Sequence, residues 1–266
     1  MKIGFIGCGN MGGAFIRAIS PNSETNVYIY DKNIEKAQLL AKEVSATVCE
    51  VGLIARTCDL IFLAVKPAIV LSVLSDISDD LAKNPRAVIV SMAAGVKTEK
   101  IESALTSPCP VIRIMPNTPV AVGCGMIAWC TGAAVDLPKD RENEFLGIMS
   151  ACGRLDRLDE RLIDAETAVA GCGPAYAYMF IEALADGGVL CGLPRDRAIL
   201  YAAEMLKGAA EMVLATGKHP GQLKDEVCSP GGSTIEGVRA LEDGGFRGIC
   251  AEAVIAAYEK NKLLGS

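Results

Sequence analysis

The sequence predicts an α/β domain built on a parallel, doubly wound sheet, followed by an all-α domain. Short apolar runs alternate with segments of helical length over the first part of the chain, which is typical of βαβ units. After about residue 158 the strand-like runs end, and Ala, Leu, Met and Glu dominate. We therefore divide the 266-residue chain into a first domain, 1–158, and a second domain, 159–266.

Six short segments of the first domain are predicted strands because they are apolar and rich in β-branched residues. They are Lys2 to Ile6, Val27 to Asp31, Thr47-Val48, Leu60 to Val65, Ala87 to Val90 and Val111 to Met115. The run from Leu60 to Val65 is uninterrupted and is stopped by Lys66 and Pro67, as a fully buried parallel strand requires. Met11 to Ile19 and Ile34 to Glu43 are predicted helices.

The longest predicted helix of the second domain runs from Arg195 to Ala215. Pro194 suits its first turn, and Gly217 lies just past its end. Its apolar residues cover more than one stripe, so we expect burial on two sides. The second domain alone is too short to cover both sides, which predicts an obligate homodimer.

The composition excludes several classes of protein. Hydrophobic residues make up 51% of the chain and charged residues 22%, which a disordered or fibrous chain would not have. The formal net charge is -6 with no basic block, so nucleic acid is not an expected partner. No apolar run approaches the ~18 residues of a membrane span, and no signal-peptide pattern precedes the first strand. We expect a cytoplasmic protein without a membrane partner.

The 11 cysteines suggest neither a disulfide framework nor a metal site. Their number is odd, they are spread along the chain, and no Cys-x-x-Cys pair occurs. With His219 as the only histidine, no metal is expected. Most of the cysteines lie among small apolar residues and are predicted to be buried in a reducing compartment.

A glycine-rich loop follows the first strand. The segment Gly7 to Gly12 matches G-x-G-x-x-G between a predicted strand and a predicted helix, which is the context a dinucleotide fingerprint requires. Its glycines permit a tight turn and close approach to a pyrophosphate, so we predict a Rossmann-like domain that binds NADP(H) or NAD(H). An ordinary glycine turn is the alternative. The predicted contacts are Ile6, Gly7, Gly9, Asn10, Met11 and Gly12.

The end of the second strand bears on the choice of cofactor. Asp31 follows Gly12 at close to the separation of about 20 residues expected for a carboxylate that holds a ribose hydroxyl. Such a carboxylate would repel a 2′-phosphate and favour NAD(H). Lys32 could instead reach that phosphate, with Asn33 as a further polar contact. The sequence leaves both readings open, together with that of a solvated turn.

Further ligand contacts are expected at the carboxyl ends of the later parallel strands, where open α/β sheets bind ligands. The small residues and prolines there suit a flat nicotinamide ring, although each segment could also be a plain turn. The cofactor contacts predicted on this basis are Ala64, Val65, Lys66, Pro67, Ala93, Ala94 and Gly95, and Asn117 is predicted on the substrate side.

A second glycine-rich segment, Ser229 to Thr234, precedes a predicted short helix from Ile235 to Glu242. Ser233 or Thr234 is the expected N-cap. Glycines and hydroxyls at a helix start can bind a carboxylate, whereas the plain alternative is a capped helix with a flexible lead-in. A dinucleotide loop combined with a separate anion site suggests hydride transfer to a small carboxylated substrate.

Several segments of the chain resemble those of a known family. The segments His219 to Asp225, Ser229 to Thr234 and Leu241-Glu242 closely resemble the signature of pyrroline-5-carboxylate reductases. Further likenesses are Gly173 to Tyr176, Ala183 to Gly188, Gly192 to Pro194 and Ala64 to Pro67. The resemblance implies a Rossmann domain, a helical dimerisation domain and reduction of 1-pyrroline-5-carboxylate to L-proline with NAD(P)H. It also implies dimers that assemble into decamers.

The resemblance further implies a substrate site. The Thr234 hydroxyl would lie near the ring nitrogen as the catalytic contact, and Glu160 matches another substrate-side position. The remaining substrate contacts implied are Ser229, Gly231, Gly232 and Ser233. Because a protonated cyclic imine is already electrophilic, a reductase of this kind needs no histidine relay.

Two other functions would share part of this pattern. A β-hydroxyacid dehydrogenase would share the cofactor loop but usually needs a catalytic lysine in its helical domain. Lys207 is the only lysine between Arg195 and Ala215, and no family-like motif surrounds it. A dinucleotide-binding sensor without catalysis would have no use for the second anion site.

Overall fold

The structure is a computed structural model that describes residues 1–21 and 25–265. Its strands are Lys2–Ile6 (β1), Asn26–Tyr30 (β2), Thr47–Val48 (β3), Leu60–Leu63 (β4), Val88–Ser91 (β5), Val111–Met115 (β6), Gly125–Thr131 (β7) and Gly153–Arg157 (β8). Its helices are Asn10–Ile19 (α1), Ile34–Val44 (α2), Val51–Thr57 (α3), Val70–Leu81 (α4), Thr98–Glu102 (α5), Lys139–Met149 (α6), Ile163–Glu166 (α7), Gly173–Leu190 (α8), Arg195–Thr216 (α9), Pro220–Val227 (α10), Ser233–Asp243 (α11) and Phe246–Gly265 (α12).

The strands form one sheet in the order β3-β2-β1-β4-β5-β6-β7-β8. Strands β1 to β6 pair in parallel, which confirms the predicted doubly wound α/β domain. The prediction of a fully parallel sheet is wrong for one strand, because β7 runs antiparallel to β6. After β8 no strand occurs among the described residues, so the predicted change to helix is also confirmed.

Two strands, β7 and β8, were not predicted from the sequence. Strand β7 is largely buried, but it contains Gly125 and small residues rather than a β-branched run. Strand β8 lies at the edge of the sheet and alternates polar residues with Leu155, so most of it faces solvent. A polar edge strand has no apolar run by which it could be recognised.

Two apolar clusters cover the faces of this sheet. One contains Phe5, Phe15 and Phe62, and the Phe5 and Phe62 rings stack at 4.5 Å between centroids. The other contains Ile61, Leu63 and the inward side of α4. Burial on both faces explains why the central strands are apolar throughout.

Contacts within the chain divide it into two compact units. The first comprises Met1–Cys172 and Ala257–Ser266, and the second comprises Gly173–Ala256. The first unit therefore extends past residue 158 and also takes in the end of α12.

The second unit consists of helices. Helices α8 and α9 pack against each other, and Gly188 lies close to Ala198 at this contact. Helix α9 ends at Gly217, whose φ of +64° satisfies the left-handed C-cap expected there. Pro194 is the N-cap and not a first-turn residue, which corrects the predicted position by one residue.

The cysteines are more varied than predicted. All are free, but only Cys8, Cys58, Cys109, Cys130 and Cys152 are buried. Cys124, Cys191 and Cys250 are exposed, which corrects the expectation that most are buried. No group of three or more His, Cys, Asp or Glu side chains in the described part of the chain could hold a metal ion.

Candidate active site

A cleft of about 480 Å³ opens at the carboxyl ends of β1, β2 and β4. The chain leaves β1 toward β2 and β3 and returns on the other side at β4, so the cleft lies at the switch point of the sheet. Ligands of open α/β sheets bind at this place. The cleft is lined by Ile6, Gly7, Gly9, Tyr30, Asp31, Lys32, Val51, Ala64, Val65, Lys66, Ile69, Val73 and Asp76.

The glycine loop is shaped by close backbone contacts. Gly7 has a φ of +109°, and a Cβ there would collide with the Ala64 carbonyl. A Cβ on Gly12 would collide with the Gly7 carbonyl and with Ala64. A Cβ on Gly9, in contrast, would meet nothing within 4 Å. The first and last glycines are therefore required for packing, whereas Gly9 leaves open space on the ligand side of the loop.

The Asp31 carboxylate is held by the backbone on both sides. Its Oδ2 accepts a hydrogen bond from the Cys8 amide at 2.7 Å, and its Oδ1 accepts one from the Asn33 amide at 2.9 Å. Asp31 thus fixes the glycine loop to the end of β2, a role that the sequence pattern did not reveal. The Cys8 thiol beside it is buried, and this burial raises its pKa to about 11, so the thiol stays neutral.

The other predicted cofactor residues take different places. Asn10 and Asn33 line a neighbouring depression, and Gly12 is buried behind the loop with Met11 half-buried beside it. Pro67 opens a short 3₁₀ turn after β4. At the end of β5 are the buried Ala93, the exposed Ala94 and Gly95, whose φ is +74°.

Five residues of the cleft were missed by the sequence reasoning. Tyr30 ends β2, whereas the others lie on helical segments that follow β3 and β4. These segments are brought to the switch point by the sheet order, and no local motif marks them. The missed residues are Tyr30, Val51, Ile69, Val73 and Asp76.

Asn117 is buried at the end of β6 and uses both ends of its amide group. Its Nδ2 donates to the Ala170 carbonyl at 3.0 Å, and its Oδ1 accepts from the Met126 amide at 2.9 Å. Ala170 lies in a π-helical turn, Thr167–Gly171. Asn117 therefore joins β6, β7 and this turn.

Glu160 is equally engaged. Its carboxylate accepts hydrogen bonds from the amide and the hydroxyl of Thr98, both at 2.8 Å, and pairs with Arg113 at 3.1 Å. Only 2% of the Arg113 side chain is exposed, and Asp164 is its second acidic partner at 3.4 Å. Glu160 thus neutralises a buried cation and ties the segment before α7 to the start of α5.

The segment Ser229–Thr234 forms a tight turn that leads into α11. Pro230 and Gly231 occupy its centre, Gly231 has a φ of +68°, and the Gly232 amide donates to the Ser229 carbonyl at 3.0 Å. These are the features of a type II turn. The N-cap is Gly232 and not Ser233 or Thr234, which corrects the prediction. Both hydroxyls instead lie in the exposed first turn of the helix.

This helix start has the chemistry of an anion site. The first amides of an α-helix lack partners within the helix and favour negative charge. The N-cap residue of α11, Gly232, makes no side-chain hydrogen bond to the first amides of this helix. A carboxylate could bind there with the help of the Ser233 and Thr234 hydroxyls.

Glu166 is a further ionisable group that the sequence reasoning did not single out. Both of its carboxylate oxygens are buried, and neither has a hydrogen-bond partner among the described residues. Burial, with a smaller contribution from Asp156, raises the pKa of Glu166 to about 7.

Comparisons with known proteins cover nearly the whole chain. Residues 160–264 match the family model described as pyrroline-5-carboxylate reductase dimerisation. Residues 2–95 match the model described as NADP oxidoreductase, coenzyme F420-dependent.

Individual relatives agree with these matches. The pyrroline-5-carboxylate reductase of Escherichia coli K12 is 42% identical over 99% of this chain and 98% of its own length. That of Glycine max is 38% identical over 98% and 95%. The Plasmodium falciparum pyrroline carboxylate reductase, solved with NADP bound, superposes with a TM-score of 0.87 at 34% identity, covering 100% of this chain and 98% of its own.

Proposed function

Since the chain belongs to the pyrroline-5-carboxylate reductase family, we propose that it reduces 1-pyrroline-5-carboxylate to L-proline with NADPH or NADH. This reaction is the last step of proline biosynthesis. The observation that carries the proposal is the full-length likeness to reductases of this name, 42% identical in one case, in a chain that also has the cofactor cleft.

The cleft fits a nicotinamide dinucleotide. Gly7 and Gly12 bring β1, α1 and β4 close together, and Gly9 leaves room for a diphosphate at the start of α1. The amides of that helix start are the proposed diphosphate ligands, with Ala64 to Lys66 and Ala93 to Gly95 along the rest of the cofactor. When bound, the reduced nicotinamide supplies a hydride.

The chain's own residues bind and orient the imine. We assign the substrate carboxylate to the amides at the start of α11, with Ser229, Gly231, Gly232 and Ser233 forming its site. The Thr234 hydroxyl holds the ring nitrogen. Glu160 and Asn117 are assigned an indirect part in substrate binding, since their polar groups are already engaged by Thr98, Arg113, Ala170 and Met126.

The imine carbon receives the hydride, and the proton that the imine nitrogen already carries remains on the ring amine. The protein therefore contributes positioning and electrostatics rather than a proton relay. His219 supports this view because its Nδ1 accepts a hydrogen bond from the Gly221 amide and caps α10.

We also propose that the chain is a homodimer, assembled further as a pentamer of dimers, in the cytoplasm and without a membrane partner. Within one chain α9 buries only Ala198 and Ala202. Large apolar residues of the second unit are left exposed, among them Met179 at 70% and Leu214 at 63%. The dimerisation match to 160–264 supports a second copy as their cover. The start of this match also supports the proposed division of the chain into domains 1–158 and 159–266.

The 31 residues Glu160–Leu190 form a stretch that, by length and composition alone, is long and apolar enough to cross a membrane. We assign its apolar surface to the partner subunit, because the dimerisation match includes all of it. Sedimentation of the purified chain without detergent tests this assignment. A monodisperse dimer or decamer supports it, and a chain that stays in solution only with detergent contradicts it.

The activity is tested by following NADH and NADPH oxidation with 1-pyrroline-5-carboxylate. Reverse-direction assays with 3-hydroxy acids in the same preparation address the β-hydroxyacid dehydrogenase alternative. Oxidation with the imine alone supports the proposal. Turnover only with hydroxy acids would overturn it, and cofactor binding without turnover of either substrate would identify a sensor.

A further inference from the structure

We infer that this chain selects NADH over NADPH, and that Asp31 is the specificity-determining residue. The inference rests on the proposed use of a nicotinamide cofactor in the cleft and goes beyond it, because neither the family nor the cleft alone fixes the choice. The two cofactors differ only by a phosphate on the 2′-oxygen of the adenosine ribose.

Asp31 lies where that ribose is bound in this fold. It follows the last residue of β2, lines the cleft, and lies beside the glycine loop through its bond with the Cys8 amide. In Rossmann domains a carboxylate at this position receives the ribose hydroxyls. A carboxylate has about four acceptor positions, so the two backbone bonds leave others for a hydroxyl.

The same two bonds prevent Asp31 from moving away from a phosphate. Rotation of the side chain would break the 2.7 Å bond to Cys8 and the 2.9 Å bond to Asn33. Both donors are backbone amides, which would then lose their partner. A 2′-phosphate would therefore meet a fixed negative charge.

The surroundings supply little compensation for a phosphate. The cleft is lined by a second carboxylate, Asp76, and by Lys32 and Lys66, and none of its described lining residues is an arginine. Arg17 lines the neighbouring depression, where it is paired with Glu43 at 2.6 Å. The start of α2, which could otherwise attract an anion, is capped by the Asn33 side chain, and the charge of Lys36 in its first turn is balanced by the adjacent Glu35. Lys32 is exposed, whereas the Asp31 carboxylate is held by two backbone amides.

The expected discrimination is large enough to measure. A phosphate carries about 1.5 to 2 negative charges at neutral pH. Repulsion from one fixed charge a few ångströms away in a partly exposed cleft corresponds to about ten- to a hundredfold in affinity. Salt should reduce this ratio, because exposed charges are screened.

The test is calorimetric titration of the full-length protein with ADP-ribose and with 2′-phospho-ADP-ribose, followed by NADH and NADPH. The first pair lacks the nicotinamide, so its result is independent of whether the enzyme reduces the proposed imine. The wild type should bind the unphosphorylated ligand of each pair at least about tenfold tighter, with a smaller ratio at 0.5 M salt.

Three variants identify the residue responsible. Asp31→Asn should bring the affinities for the unphosphorylated and the phosphorylated ligand of each pair closer together, mainly by strengthening binding of the phosphorylated ligands. Asp79→Asn removes an exposed carboxylate from α4 that does not line the cleft and should leave the ratio unchanged. Lys32→Ala should weaken both members of each pair to a similar extent.

The inference fails under any of several results. One is equal or tighter binding of the phosphorylated ligands by the wild type. Another is an unchanged ratio in Asp31→Asn that still melts cooperatively. A selective tenfold loss of NADPH binding in Lys32→Ala would assign the phosphate to Lys32 instead. If Asp31→Asn does not fold, the wild-type ratio and its salt dependence still decide the matter.

Discussion

The Glu160 carboxylate accepts hydrogen bonds from both the amide and the hydroxyl of Thr98, each at 2.8 Å. The same carboxylate pairs with Arg113, a guanidinium buried in the sheet. Glu160 is also the first residue of the match to the dimerisation family. The Glu160 side chain therefore links the start of the dimerisation match to Thr98 and Arg113 of the first domain, by hydrogen bonds and by opposite charge.

Replacement of Glu160 tests this linking role. Glu160→Ala should lower the free energy of unfolding by on the order of 2 kcal/mol, because it leaves a buried cation and a hydroxyl without a main partner. Urea unfolding at fixed protein concentration measures the change. Arg161→Ala, a neighbouring side chain that is 80% exposed, should stay within about 0.5 kcal/mol of the wild type. Unaltered stability with a raised KM would instead indicate direct contact with substrate.

The glycine loop offers a matched pair of substitutions. Gly12→Ala should destabilise the apo protein, because its Cβ would collide with the Gly7 carbonyl. Gly9→Ala should leave thermal unfolding without cofactor unchanged, since its Cβ meets nothing within 4 Å, but should weaken cofactor binding. Melting curves and calorimetric titration with NADH separate the two effects. Normal NADH affinity in Gly9→Ala would remove the diphosphate from this loop.

Glu166 predicts a pH dependence of stability. Its pKa of about 7 in the folded chain lies above the value of about 4.3 expected when unfolded, so between these pH values only the folded chain keeps the proton. The stability of the wild type should therefore fall as pH rises through this window and level off above it.

Glu166→Gln removes this titration and mimics the protonated form. The variant should match the wild type near pH 5 and exceed it at pH 8 by on the order of 1 to 3 kcal/mol, measured by urea unfolding. Asp156→Asn should reduce the difference, because Asp156 contributes to the raised pKa of Glu166. A difference that is the same at both pH values would contradict the prediction.

The Thr234 hydroxyl is expected to matter for turnover and little for folding, since it lies exposed in the first turn of α11. Thr234→Ala should lower kcat/KM for the imine by about ten- to a hundredfold, from the loss of one or two hydrogen bonds. Thr216→Ala, which removes a hydroxyl bonded to the Met212 carbonyl at the end of α9, is the control. Wild-type activity of Thr234→Ala would refute the assigned role.

Local pattern predicted most of the cofactor domain. Thr47–Val48 and Val111–Met115 have the predicted bounds, and the first loop lies between a strand and a helix as its motif required. A buried strand requires an apolar run, and a tight turn requires a glycine, so both can be recognised within a few residues of sequence. Strand β8 was missed because an edge strand can be polar and then has no such local pattern.

The sequence by itself determined that an acidic side chain, Asp31, lies at the carboxyl end of the second strand and close to a dinucleotide loop. Only the tertiary structure decided what that side chain does, since its bond to the Cys8 amide depends on β1 and β2 lying side by side. Asn117 and Glu160 likewise find partners far away along the chain. A hydrogen bond acts over about 3 Å, so residue order alone cannot select its partner.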